Sequence, residues 1–491
     1  MGIVLRQSLK SSIVNYAAVA LGAVINIWFF PEYLSKSEIG IYRYVFNVPL
    51  LIAGFLQFGA SSSIDHFYPI YSKNNNDRNR FLSFVFLYPL PLFVAGASLF
   101  FLFRKPLDNF MIGDTPEMAP YLILLVPLTL ICIYRSLGEA LCRSAHRIVV
   151  PSVLRDLAPR FAILFLLPLL AYQIIDFQEM AIGLTLFWGL FVIILLFYGA
   201  KLNPFHLTNF KAFLTPERRK EIFTYNSFVF IGSAGGLIIA NTDTLMIPKL
   251  TGFEDLGVYS IAFYIGSVIE VPRKALSQIS LPIISKAIKE NDIKQVESLY
   301  KKTAINQLIV GGWLFLGIAC NTDFIFHLMP KGDEYVQGLY VILFIGGARL
   351  IDMAFGVNNE ILLYSKYYKL NHWITIAFAV LMIALNYIFI PAYGINGAAF
   401  ATFLSVAIYN LSRFLIVWKK IGTQPFTLKT GITLGLLALT AFIALNISFS
   451  NFWITFLLRG TWITLAIVAG VLGFKLSDDF SGLFRKFFNK G

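Results

Sequence analysis

Charged residues of both signs fall inside stretches otherwise apolar enough to cross a membrane. Arg135, Arg273, Lys274 and Arg349 lie near the middle of such stretches, and Arg160 lies well inside its own. Their chemistry is anion binding: a guanidinium's planar fork donates two parallel hydrogen bonds, the geometry a phosphate accepts. Acids stand beside them at helical spacing, with Glu139 four residues after Arg135, Asp352 three after Arg349 and Glu270 four before Lys274. That spacing also permits a bland reading, salt bridges within one helix. On that reading Glu270 neutralises Lys274 and leaves Arg273 free.

A second candidate chemistry is cation coupling. Asp243 has no Lys or Arg at i±3 or i±4, and an intramembrane carboxylate so placed is a candidate site for a proton or a sodium ion. Asn386 and Thr402, from later apolar stretches, are the oxygen donors a hard monovalent cation takes. The alternative is a carboxylate that snorkels to the interface near Lys249. Arg43 and Arg155, nearer the ends of their stretches, read as snorkelling residues, and Arg459 receives no role. Other chemistries find no support. There is no HExxH, P-loop or serine-elbow pattern, the five histidines are scattered, and Cys132, Cys142 and Cys320 have no metal-ligand spacing. No cofactor or metal is expected, beyond Na⁺ or H⁺ as coupling ion.

These residues are positioned by membrane helices. The chain has 491 residues, 57% hydrophobic and 14% charged, with a mean hydropathy of +0.71. A bilayer core of roughly 30 Å takes about 20 apolar residues per helix. Runs of that order begin near 12, 41, 81, 118, 148, 180, 223, 256, 303, 335, 371, 395, 428 and 453, giving an all-α membrane protein of about fourteen spans. Loops on the N-terminal side hold 26 of the 40 Lys and Arg, against five on the opposite side. That bias places both termini in the cytoplasm. The net charge of +13 is thus mostly topological and does not point to nucleic acid. No loop has room for a soluble catalytic domain.

The chain also repeats itself. FFPEYLSKSEIGIY (29–42) resembles MIPKLTGFEDLGVY (246–259), so that Gly40 pairs with Gly257, and PIYSK (69–73) resembles PIISK (282–286). Arg135 and Arg349 fall at equivalent positions, 214 residues apart. Spans one to six therefore correspond to seven to twelve in parallel orientation. The expected organisation is an N-lobe at 1–200, a basic cytoplasmic linker at 201–222, a C-lobe at 223–418, and an appended helix pair with a basic tail at 419–491. Two equivalent arginines are expected to face a central cavity.

The six-plus-six-plus-two pattern, with EIGIY entering span two, FGASSSIDHFYP at its end, DLGVY and LPIISK across span eight and YGINGAAFAT opening span twelve, resembles the bacterial polysaccharide transport family. This family includes the Wzx-like O-antigen flippases within the multidrug/oligosaccharidyl-lipid/polysaccharide exporter superfamily. The resemblance implies a monomeric, alternating-access flippase of the inner membrane and no enzyme. Its cargo would be an oligosaccharide on undecaprenyl pyrophosphate, carried from the cytoplasmic to the periplasmic leaflet alongside a polysaccharide polymerase and glycosyltransferases. Asp65 and His66 depart from the pattern, since relatives frequently carry a basic residue there. Three readings stand beside it: a lipid II-type flippase, a multidrug or cation antiporter of the same fold, and a membrane-embedded glycosyltransferase or polymerase.

Overall fold

The computed structural model describes residues 3–106 and 116–482, and the basic tail beyond them lies outside the described residues. No strand occurs among the described residues. Among the described residues eleven helices are long and apolar enough to cross a bilayer. One of these, Tyr368–Ile421, is two helices joined at Gly394, whose φ of 57° marks the break; a left-handed backbone there is open to glycine without a Cβ penalty. Two further apolar segments, 149–171 and 253–289, are helical but interrupted by tighter or wider turns. The arrangement is consistent with fourteen spans, and the chain is a multi-pass membrane protein. Large apolar side chains such as Phe197, Phe442 and Leu465 remain exposed, as lipid-facing residues should.

The chain divides into two compact units, Met1–Ser260 and Ile261–Gly491. The long helices of the first are α1 (Ile3–Val24), α2 (Lys36–Leu56), α3 (Ala60–Tyr71), α4 (Asn75–Leu87), α5 (Pro89–Leu102), α6 (Leu125–Ser144), α7 (Ala158–Ala171), α8 (Phe177–Leu202) and α9 (Pro216–Leu250). α10 (Phe253–Ser267) carries the chain across the boundary. The second unit continues with α11 (Val271–Lys289), α12 (Ile293–Ala319), α13 (Leu339–Ala354), α14 (Asn358–Tyr364), α15 (Tyr368–Ile421), α16 (Leu428–Asn446) and α17 (Phe452–Gly473).

This division does not coincide with the repeat boundary near residue 200, because α9 packs into the first unit. Ser63 of α3 donates to Asn226 of α9 at 2.5 Å, and Asn226 donates to the Tyr88 hydroxyl at 3.0 Å. Tyr88 in turn donates to the carbonyls of Gln57 and Phe58, at 3.1 and 2.9 Å, where the chain breaks between α2 and α3. Backbone groups freed inside a membrane must find such partners.

The two repeat glycines meet each other's helices. A Cβ on Gly40 would lie 2.0 Å from the carbonyl oxygen of Phe253, the first residue of α10. One on Gly257 would lie 2.0 Å from that of Lys36, the first residue of α2. The contact is reciprocal and leaves no room for a side chain, which is why the motif carries glycine in both halves.

Prolines place the interruptions. A proline has no N–H to give the carbonyl four residues back. The π-turns at Ile25–Phe29 and Val153–Leu157 are each followed two residues later by a proline, Pro31 and Pro159. The 3₁₀ turn Val268–Glu270 is followed two residues later by Pro272. The second and third interruptions carry residues of the sites described next.

Candidate functional site

In the first unit the charges gather around Glu139. Arg135 lies one turn before it on α6, with Nε 3.8 Å from Oε1. Arg143, one turn after it, has Nη1 3.9 Å from Oε2 and also pairs with Asp65 of α3, at 3.2 Å from Nε and 2.8 Å from Nη2. The π-turn brings Arg155, whose Nη1 donates to Glu139 at 3.2 Å while Nε and Nη2 grip Asp156 at 3.0 and 2.8 Å. Arg160 donates to the Asp156 carbonyl. Three guanidiniums thus share three carboxylates, and the fourth holds a backbone oxygen beside them. Arg135 also stands 5.5 Å from the centre of the Trp188 ring on α8. A cavity of about 10 Å³, lined by Arg135, Arg155 and Trp188 among others, has room for about one water molecule.

In the second unit the pairing runs between helices. Arg273, two residues into α11, has Nη1 2.5 Å from Asp352 of α13, each side chain 16% exposed. Asn410 of α15 donates to the other Asp352 oxygen at 3.1 Å and accepts from Asn358 at 3.0 Å. Arg349 reaches Glu270 at 3.4 Å and stands 5.7 Å from the Phe263 ring centre. Glu270 is 3.8 Å from Lys274, whose side chain is 69% exposed. Buried Arg413 donates to Asn371 at 3.0 Å and lies over the Tyr409 ring at 3.7 Å.

These positions correct two local expectations. Arg273 is not left free, because it holds Asp352. Arg349 has Glu270 as its acid rather than Asp352 three residues on. The expected i,i+4 pair of Glu270 with Lys274 is present, and Glu270, at the N-cap of α11, serves Arg349 as well.

Asp243 is buried on α9 and accepts a hydrogen bond from the Tyr259 hydroxyl. Arg43 of α2 shares its electrostatic surroundings with Asp243 and Tyr259. The carboxylate thus has company from other helices despite lacking a basic neighbour along its own. Asn386 and Thr402 are buried in the second unit on α15, on either side of Gly394. Arg459 donates to the carbonyls of Ile447 and Cys320, at 2.9 and 2.6 Å, and so ties down the C-terminal ends of α16 and α12.

Four of these charges were given no part in anion binding by the sequence reading. Arg143 sits at the end of its helix, Asp65 stands out only as a departure from the family pattern, Arg155 reads as a snorkelling side chain, and Arg413 has no acid at helical spacing. A fifth, Glu360, is buried on α14, and its Oε2 has no hydrogen-bond partner among the described residues. Their only signal was a charge inside an apolar stretch. Among the described residues no group of three His, Cys, Asp or Glu is placed to hold a metal ion.

Residues 4–286 match the family described as polysaccharide biosynthesis protein. The chain belongs to that family. It is 24% identical over 189 residues to the probable low-salt glycan biosynthesis flippase Agl15 of Haloferax volcanii, a stretch covering 38% of this chain and 40% of that one. It is 22% identical over 200 residues to the capsular polysaccharide biosynthesis protein CapF of Staphylococcus aureus, covering 40% and 49%. The chain thus aligns with less than half the length of these curated relatives. Its fold is that of the lipid II flippase MurJ in an inward closed conformation, with a TM-score of 0.72 at 17% identity over 97% of this chain and 99% of that one. Two of these proteins are named as flippases and the third as a polysaccharide biosynthesis protein.

Proposed function

We propose that this family member is a flippase for an oligosaccharide linked through pyrophosphate to undecaprenol, an O-antigen or other surface-polysaccharide repeat unit. It would turn its cargo from the cytoplasmic to the periplasmic leaflet of a bacterial inner membrane by alternating access, with both termini cytoplasmic. The observation carrying this reading is that each unit holds arginines within membrane-spanning helices whose acids are shared or displaceable. Glu139 serves three guanidiniums, and Glu270 serves Arg349 and Lys274. A diphosphate entering such a cluster replaces a carboxylate partner and its own hydration together, which avoids carrying an unpaired charge through hydrocarbon. In this reading Arg135 is the direct ligand in the first unit's cluster, supported by Arg160, and Arg349 and Lys274 are the direct ligands in the second unit's cluster, supported by Arg273. Glutamine at Arg135 or Arg349 is expected to abolish surface glycan at unchanged protein level. Normal glycan in both variants would overturn the reading.

Coupling to a sodium or proton gradient rests on Asp243, Asn386 and Thr402. Asp243→Asn is expected to remove ion-driven transport in proteoliposomes; transport unchanged across an imposed gradient would count against it. The protein would act as a monomer beside the polymerase and glycosyltransferases that use the same lipid-linked glycan. A lipid II cargo offers the same pyrophosphate, and rescue of a strain depleted of its lipid II flippase would distinguish it. The carboxylate-dominated site expected of a multidrug antiporter is not what these arginine clusters offer.

A further inference from the structure

Beside the first half of α12, the start of α16 and the segment that follows α17, a cavity of about 310 Å³ opens among residues of, or next to, the basic loops. Its walls carry both signs of charge: Lys301, Lys302 and Lys429 against Asp478 and Asp479. The pairs across it are loose. Lys429 lies 3.8 Å from Asp478, with side chains 45% and 82% exposed, a pairing that adds little and that a ligand can displace. Asp479 accepts from Asn306 at 2.8 Å, and Asn306 accepts from Ser477 at 2.6 Å. A purely anionic ligand would meet two carboxylates here and a purely cationic one three ammonium groups. A ligand bearing an anion and a cation a few ångströms apart satisfies both.

One helical turn deeper a second cavity, of about 260 Å³, runs between α12 and α17 and is walled by Ile309, Trp313, Ile467 and Val468 among others. Its one wall-to-wall hydrogen bond among the described residues joins Trp313 to Thr464 at 3.1 Å. The floors of the two cavities are continuous, since Ile305 and Leu476 under the first share one buried cluster with Ile309, Ile467 and Val471 under the second. Residues 305, 309 and 313 follow at i, i+4 and i+8, so they line one face of α12 over about 12 Å. That approaches the depth of one leaflet, about 15 Å of a hydrocarbon core of roughly 30 Å.

We propose that this side of the second unit is a binding site for one zwitterionic membrane phospholipid with a primary amine in its headgroup. The phosphate sits on Lys301, Lys302 and Lys429, the ammonium on Asp478 and Asp479, and an acyl chain lies along Ile309, Trp313 and Val468. A primary ammonium suits the acids because it donates hydrogen bonds to carboxylates, which a quaternary one does not. The site is distinct from the proposed cargo site: no arginine lines either cavity, and the ligand is a lipid of the bilayer itself.

The test is native mass spectrometry of the delipidated full chain titrated with palmitoyl-oleoyl phosphatidylethanolamine, phosphatidylglycerol or phosphatidylcholine. The wild type should retain one phosphatidylethanolamine in preference to the others. The triple variant Lys301→Gln, Lys302→Gln, Lys429→Gln should bind it on the order of a hundredfold more weakly, about fivefold per lysine. Val468→Trp, which fills the groove, should also lose it, and Asp478→Asn with Asp479→Asn should shift preference to phosphatidylglycerol. Equal retention by wild type and variants would reduce the site to ordinary annular lipid and overturn the proposal. So would a wild type that prefers phosphatidylglycerol. Lys302 is exposed and Lys301 and Lys429 are only half-buried, so their replacement decides the matter even where Val468→Trp fails to fold.

Discussion

Arg135 and Arg349 occupy equivalent places in the repeat, yet their acids arrive by different routes. In the first unit Glu139 stands on the same helix, one turn on, and gathers two further arginines. In the second, Glu270 reaches Arg349 from the break before α11, while the nearby Asp352 turns to Arg273. The aromatic ring beside each guanidinium also differs in origin, Trp188 of α8 in one case and Phe263 of α10 in the other. The repeat thus preserves a cation at a given depth and leaves its neutralisation to whichever helix packs alongside. One cluster is a local hub, and the other is a clamp between helices.

The sharpest way to break this contrast is at Asp352. Asp352→Ala leaves Arg273 in a half-closed site without its acid, and removing one partner of a buried pair costs about 3–5 kcal/mol. A fall in the thermal unfolding midpoint is expected, with recovery when Arg273 is changed to Gln as well. A midpoint unmoved by Asp352→Ala would show that the clamp contributes nothing to the second unit.

A second test addresses the place where the halves agree. Gly40→Ala drives a methyl group into the Phe253 carbonyl, and overpacking of this kind costs about 1–3 kcal/mol. Gly257→Ala should cost a similar amount by the reciprocal contact. Equal stability of wild type and both variants would remove the packing explanation for the repeated motif.

Glu139→Gln should behave differently from Asp352→Ala. Two of the hub's arginines, Arg143 and Arg155, keep other acids in Asp65 and Asp156, so the loss should be smaller, about 1 kcal/mol. In compensation, pyrophosphate should stabilise the Glu139→Gln protein against heat more than the wild type, because one competing carboxylate is gone. No gain in that stabilisation would argue against a displaceable acid. The smallest effect is expected at Asp65. Its pair with Arg143 has both side chains more than 40% exposed, and Asp65→Asn should cost less than about 1 kcal/mol.

Much of the architecture was legible because a bilayer imposes long apolar runs and sorts basic loops to one side. Arg135 with Glu139 was legible too, since an i,i+4 pair needs only helical periodicity. Arg273 with Asp352 was not, as its two residues lie 79 positions apart on helices whose rotation nothing local records. Asp243 looked solitary along its own helix and gained Tyr259 only when α9 met α10. Arg413, with polar partners contributed by Asn371 and Tyr409, was only one more charge in an apolar stretch.

Composition and pattern therefore settled the helical class and the approximate number of spans, and they set the expectation of a parallel repeat with buried cations near mid-span, because all of these follow from hydropathy and from the fixed rise of a helix. Tertiary packing alone decided which acids Arg273 and Arg349 hold, why Gly40 and Gly257 admit no side chain, and where a mixed-charge cavity meets an apolar groove. Those outcomes depend on which faces of distant helices touch. A side chain in the membrane takes its partner from the nearest face, whichever part of the chain supplies it.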